Sequence, residues 1–154
     1  MYSHHRTPSV LLLTGDKRSG KTTACLRFVE LARNRELRVG GIAAPARWHA
    51  DGHKKGIDVL DLFTGNRRQL AAVVSQSDQT TVGEYLFDER VMAWALGRVM
   101  WALDTPLDAV IIDEIGRLEL NKRRGFAPAL GHISASPSSL VVLVVRLELM
   151  TRLR

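Results

Sequence analysis

The segment Gly15-Asp16-Lys17-Arg18-Ser19-Gly20-Lys21-Thr22 has the spacing G-x-x-x-x-G-K-[ST] and sits between an apolar run and a helical pattern. No other feature limits the fold as much, because a strand entering a glycine-rich turn and leaving as a helix turns successive N–H groups toward one point. Ser9 to Thr14 is a short continuous apolar run, as expected of a strand buried on both faces of a parallel sheet. From Thr22 to Asn34 the pattern predicts a helix, with Cys25, Phe28, Leu31 and Ala32 at helical spacing. Glycines at 15 and 20 open backbone conformations closed to other residues. The loop amides and the helix N-terminus then form a cradle for a polyphosphate. Gly15 to Thr22 and the adjoining Thr23 are the expected nucleotide-binding set, with Lys21 reaching the β- and γ-phosphates and the Thr22 hydroxyl ligating Mg²⁺.

A chain of 154 residues suits one domain with a real core, here 1–154 with 1–8 as a flexible tail. A single cysteine, Cys25, excludes an internal disulfide and fits a reducing compartment; on a helix it reads as packing. Met1 to Thr7 is polar and basic, unlike a signal peptide, and Leu140 to Val145 is too short an aliphatic run to cross a membrane. A cytoplasmic protein without membrane contact is expected. The formal charge is +6, with basic clusters at Arg33/Arg35/Arg38, Arg67/Arg68 and Lys122/Arg123/Arg124. Aromatics make up only 6% of the chain, and a nucleic-acid face usually interleaves aromatics with its charge. The pattern therefore favours solvated surface charge and attraction of polyphosphate over a nucleic-acid role.

Beyond the first helix, Leu37 to Ala44, Gly56 to Phe63 and Gln69 to Val74 read as strands, separated by turn signals at Ala50–His53 and Thr64–Asn66. In the second of these, Ile57, Val59 and Leu62 are expected inward, and Asp58 and Asp61 outward. Such an antiparallel insert makes the sheet mixed. Ser75 to Gly83 reads as an exposed loop. Glu84 to Leu103 predicts a long helix whose stripe is Met92, Ala95, Leu96, Val99 and Leu103. Trp94 and Trp101 extend that stripe and read as packing, against the alternative of a partner surface. Thr105-Pro106 ends the helix.

Leu107 to Glu114 is an apolar strand ending in two acids. In a parallel sheet its carboxyl end emerges beside the phosphate loop. Asp113 is placed to bind Mg²⁺, through water or the Thr22 hydroxyl. Alternation along a strand sends the neighbouring Glu114 elsewhere, free to orient and deprotonate a water. That division of labour points to hydrolysis.

These segments resemble the small P-loop nucleoside-triphosphatases of the thermophilic and cancer-related type. The resemblance is carried by Thr14 to Thr23, by Val39-Gly-Gly-Ile-Ala with Lys55-Gly-Ile-Asp-Val-Leu, by Val82-Gly-Glu-Tyr85 and above all by Ile112-Asp-Glu-Ile-Gly-Arg-Leu-Glu-Leu120. It implies a three-layer α/β P-loop fold, mostly parallel in its sheet. It also implies Mg²⁺-dependent hydrolysis of ATP, GTP and other nucleoside triphosphates. Asp113 then matches the metal-site acid and Glu114 the catalytic acid. Arg117 falls where a cation would stabilise charge on the γ-phosphate, or would pair with Glu119 or lie in solvent. Asp16, Lys17 and Arg18 depart from the small or apolar residues usual inside this loop. The segment after Val145 is shorter than the resemblance leads one to expect, so an edge strand is expected to be missing and a homodimer through the uncovered sheet edge is a further expectation. A kinase would need a lid, for which Asn121 to Arg124 is the short candidate. A non-hydrolysing adaptor would use Trp94 and Trp101 as its readable face.

Overall fold

Alternation along the two most apolar strands fixes the layers. Ala109 and Ile111, with Val142 and Val144, pack in one buried cluster with Cys25, Val29 and Ala32, whereas Val110, Ile112, Val141, Leu143 and Val145 pack in a second with Ala95, Val99, Ala102 and Leu103. A strand apolar on both faces must be covered on both, and the helices that cover it make three layers. The computed structural model describes residues 6–16, 18–73, 85–115, 125–147 and 150, with the backbone alone for Glu114 and Ile115. Its elements are β1 (Ser9–Gly15), α1 (Lys21–Asn34), β2 (Val39–Ala43), β3 (Ala46–Trp48), β4 (Lys54–Asp61), β5 (Arg67–Val73), β6 (Tyr85–Phe87), α2 (Glu89–Asp104), β7 (Ala109–Ile115), α3 (Ala127–Leu130) and β8 (Leu140–Arg146), with a 3₁₀ turn at Ile133–Ala135.

Among the described residues the strands form one mixed sheet in the order β1-β8-β7-β2-β4-β5-β6, with β3 on β4. β1, β8, β7 and β2 pair in parallel, and β2 through β6 continue as the antiparallel insert. β1 and β7 flank β8, so the strand entering the glycine loop and the strand ending in the acids finish at the same end of the sheet, one strand apart. This is the end at which α/β sheets bind ligands.

Several local expectations change. The buried stripe of α1 is Cys25, Val29 and Ala32, while Phe28 and Leu31 are exposed. The long helix begins at Glu89, where the Asp88 side chain accepts from the amides of Arg90 and Val91. Tyr85–Phe87, expected as its first turn, pairs instead with β5. Asp58 and Asp61, expected to point outward, are buried at 7% and 1% exposure. Asp61 accepts from Arg98 Nε at 2.7 Å, Thr64 Oγ1 at 2.8 Å and the Phe63 amide at 3.0 Å. Asp58 lies between Arg47 and Arg67. Period-two alternation predicts which face a residue takes, and here the polar face is roofed by arginines from neighbouring elements. Trp94 packs against the core, as expected of a packing residue, whereas Trp101, expected to do the same, stays 36% exposed and meets the exposed Phe63 edge-on at 4.8 Å. The expected loop 75–83 and the segments 116–124 and 151–154 lie outside the described residues.

Candidate active site

The loop between β1 and α1 is shaped by two glycines. At Gly15 an added Cβ would stand 2.5 Å from Ser19 Oγ, so a larger residue there would displace the Ser19 side chain. Gly20 has φ of 90° and caps α1 in the left-handed region. Among the described residues no side chain caps this helix, and its first turn carries no acid, so its N-terminal amides suit an anion. α2, with its aspartate cap, is closed to that use.

Lys21 folds back across the loop. Its Nζ donates to Gly15 O at 3.0 Å, Asp16 O at 2.7 Å and Ser19 Oγ at 3.5 Å. The ammonium therefore spans the loop mouth, where it faces any phosphate seated on the amides. Thr22 Oγ1 donates to Asp113 Oδ2 at 2.9 Å, joining residues ninety-one positions apart. The Ala44 amide donates to the same oxygen at 2.9 Å. Asp113 is 1% exposed: an ionised carboxylate so placed needs donors, and these two hold it against the start of α1. Burial, and after it the Asp113 carboxylate, push the Cys25 thiol from 9.0 up to about 12. The structure thus gathers Gly15, Asp16, Arg18, Ser19, Gly20, Lys21, Thr22 and Asp113 at one end of the sheet.

Thr23 lies in the first turn of α1. Lys17, Arg117 and Glu119 lie outside the described residues, as does the side chain of Glu114. The backbone of Glu114 lies in β7 where its register with β8 shifts between Ile112 and Ile115. Two neighbours of the site carried no sequence signal. The Ala44 amide reaches Asp113 because β2 and β7 are neighbours, and Trp48, at the end of β3, lies with its ring centre 5.4 Å from the guanidinium carbon of the expected binding residue Arg18.

A glycine loop closed by its own lysine and faced by a strand-borne aspartate places this chain in the P-loop nucleotide-binding class. A family model described as NTPase matches residues 10–154, and the chain belongs to that family. The nucleoside-triphosphatase THEP1 of Methanothermobacter thermautotrophicus is 31% identical over 136 residues, covering 88% of this chain and 76% of that protein. The THEP1 of Thermofilum pendens is 35% identical over 120 residues, covering 77% and 64%. The solution structure of a human cancer-related nucleoside triphosphatase superposes with a TM-score of 0.70 at 24% identity, covering 90% of this chain and 76% of that one, a likeness of fold. Among the described residues no helix is long and apolar enough to cross a membrane.

Proposed function

We propose that this chain hydrolyses nucleoside triphosphates, ATP and GTP among them, to the diphosphate and phosphate with Mg²⁺ bound. The observation that carries this reading is the 2.9 Å hydrogen bond from Thr22 to Asp113, which joins the phosphate loop to the acid strand. Its oxygen donors suit a hard cation. Thr22 and Asp113 would hold the ion, which when bound offsets charge on the β- and γ-phosphates.

The chain's own residues do the rest. Loop amides and the start of α1 seat the phosphates, and the Lys21 ammonium neutralises the terminal ones. Glu114 is assigned to orient a water in line with the γ-phosphorus and accept its proton. The names of the relatives support hydrolysis over phosphoryl transfer to another acceptor.

Phosphate release from ATP, GTP, CTP and UTP with Mg²⁺ tests the reading. The intact chain is expected to release phosphate and diphosphate in equal amounts without an added acceptor. Lys21→Ala should lower turnover by about 10²-fold or more, the cost of removing a charge-stabilising donor. Equal turnover in parent and variant would overturn the proposal.

A further inference from the structure

Arg18 holds the fourth position of the phosphate loop with φ of 63°, in the left-handed region that glycine adopts freely and arginine does not. A costly backbone geometry kept at a site is a reason to ask what the side chain does there. Its guanidinium carbon is 5.4 Å from the centre of the Trp48 ring. Trp48 ends β3 and remains 49% exposed, so its indole contributes little to the core. Β3 follows β2 after Ala44, whose amide holds Asp113. Only four positions separate Trp48 from Ala44, so the Arg18–Trp48 pair stands at the end of the sheet that carries the loop and Asp113.

The other cation–aromatic pairs among the described residues serve different ends. Arg98 lies on Trp101 but also binds Asp61. Arg68 lies on Trp94, which packs against the core. Lys54 lies on Tyr85 in the antiparallel half. Among the described residues Arg18 makes neither an ion pair nor a side-chain hydrogen bond, and its contact there is with the indole.

We propose that Arg18 is a further binding residue for the terminal phosphate of the substrate and that Trp48 is its positioning residue, a platform on which the guanidinium waits at the loop mouth. The inference rests on the nucleoside-triphosphate reading above. A guanidinium is a planar fork of donors matched to phosphate oxygens, and it stacks well on an aromatic face because it is weakly hydrated. Moving from ring to phosphate exchanges an exposed cation–π contact for charge-assisted hydrogen bonds. The loop amides and Lys21 grip the phosphates from inside the loop, whereas Arg18 adds a contact that a diphosphate does not offer. Discrimination between triphosphate and diphosphate follows.

The test is calorimetric binding, with Mg²⁺, of a nucleoside triphosphate analogue that resists hydrolysis and of the matching diphosphate. The proteins are the full chain, Arg18→Gly, Arg18→Lys, Trp48→Leu, Trp48→Phe and Lys21→Ala. Arg18→Gly should weaken the triphosphate analogue about tenfold, one charge-assisted contact, and leave the diphosphate within about twofold. Its melting temperature should not fall, because glycine suits the backbone at this position. Arg18→Lys keeps the charge without the fork and should fall between. Trp48→Leu should lose part of the discrimination and Trp48→Phe should restore it, a rescue that a merely structural role would not give.

An unchanged triphosphate-to-diphosphate ratio in Arg18→Gly, or equal behaviour of Trp48→Leu and Trp48→Phe, would overturn the inference. If the parent binds neither nucleotide, or Lys21→Ala binds as well as the parent, the P-loop reading fails and this one with it. If Lys21→Ala loses binding while Arg18→Gly keeps the ratio, only the arginine's role is lost.

Discussion

Lys21, Thr22 and Asp113 were legible as single residues because their chemistry leaves few substitutes: an ammonium over the loop, a hydroxyl at the helix start, and an acid at the end of a buried strand. Cys25 shows the limit of such reading. Its spacing indicated packing, and it is 2% exposed, but its closeness to Asp113 was set by strand order. Burial first and the carboxylate second raise its pKa to about 12. The native thiol should therefore react with a disulfide reagent at pH 8 much more slowly than the urea-unfolded chain, since the thiolate is the nucleophile. The pH dependence has a definite sign. The folded chain keeps a proton that the unfolded chain releases, so this contribution to stability is complete below about 9 and is lost as pH rises toward about 12. Denaturant melts of the parent across that window should show a steeper alkaline loss than those of Cys25→Ala. Parallel losses, or equal labelling of native and unfolded chains, would refute the assignment. Asp61 was misread for the reason Cys25 was only half read: its partner Arg98 lies thirty-seven residues away, and no local pattern announces it.

Among the elements, long periodic or continuous apolar segments were readable and short ones were not. β7, β8 and the body of α2 declared themselves because burial on both faces, or a sustained stripe, leaves a strong pattern. β1 carries the same apolar run but, against the expectation of burial on both faces, is an edge strand among the described residues, with Val10 and Leu11 exposed. β3 has three residues, too few for alternation to show, and it is held by pairing with β4. Tyr85–Phe87 was absorbed into the helix because apolar residues just before a helical stripe fit either period. Asp88 was the available signal, an N-cap residue standing three positions before Val91. Its side chain holds two amides, and its own amide donates to Leu70 O at 2.8 Å, so it closes β6 and opens α2 together. Asp88→Ala should cost about 1 kcal/mol of stability, read as a lower urea midpoint with an unchanged slope, while Asp88→Asn should retain most of it. An unaffected midpoint in the alanine variant would show that pairing to β5 sets the helix start and the cap does not.

At the scale of the whole molecule the parallel half of the sheet ends at β1. Among the described residues β1 pairs with β8 alone, leaving its other edge of N–H and C=O groups open, and Val10 and Leu11 are 48% and 54% exposed. An apolar strand of seven residues whose second edge is unpaired among the described residues is a template for another strand, and a second copy offers the same edge. Two opposing terms decide whether copies meet. Pairing buries Val10 and Leu11 from both chains and satisfies the open backbone groups, while two chains of formal charge +6 repel each other. Salt screens the repulsion, with a Debye length of about 8 Å at physiological ionic strength, and leaves burial of apolar surface in place. Self-association should therefore increase with both protein concentration and salt, the reverse of an assembly held by ion pairs. Leu11→Lys, which adds a charge to the edge without touching the phosphate loop, should keep the chain monomeric. Sedimentation velocity over a hundredfold concentration range at low and high salt tests this, and a parent that stays monomeric throughout, or a Leu11→Lys variant that associates like the parent, would remove β1 as the contact.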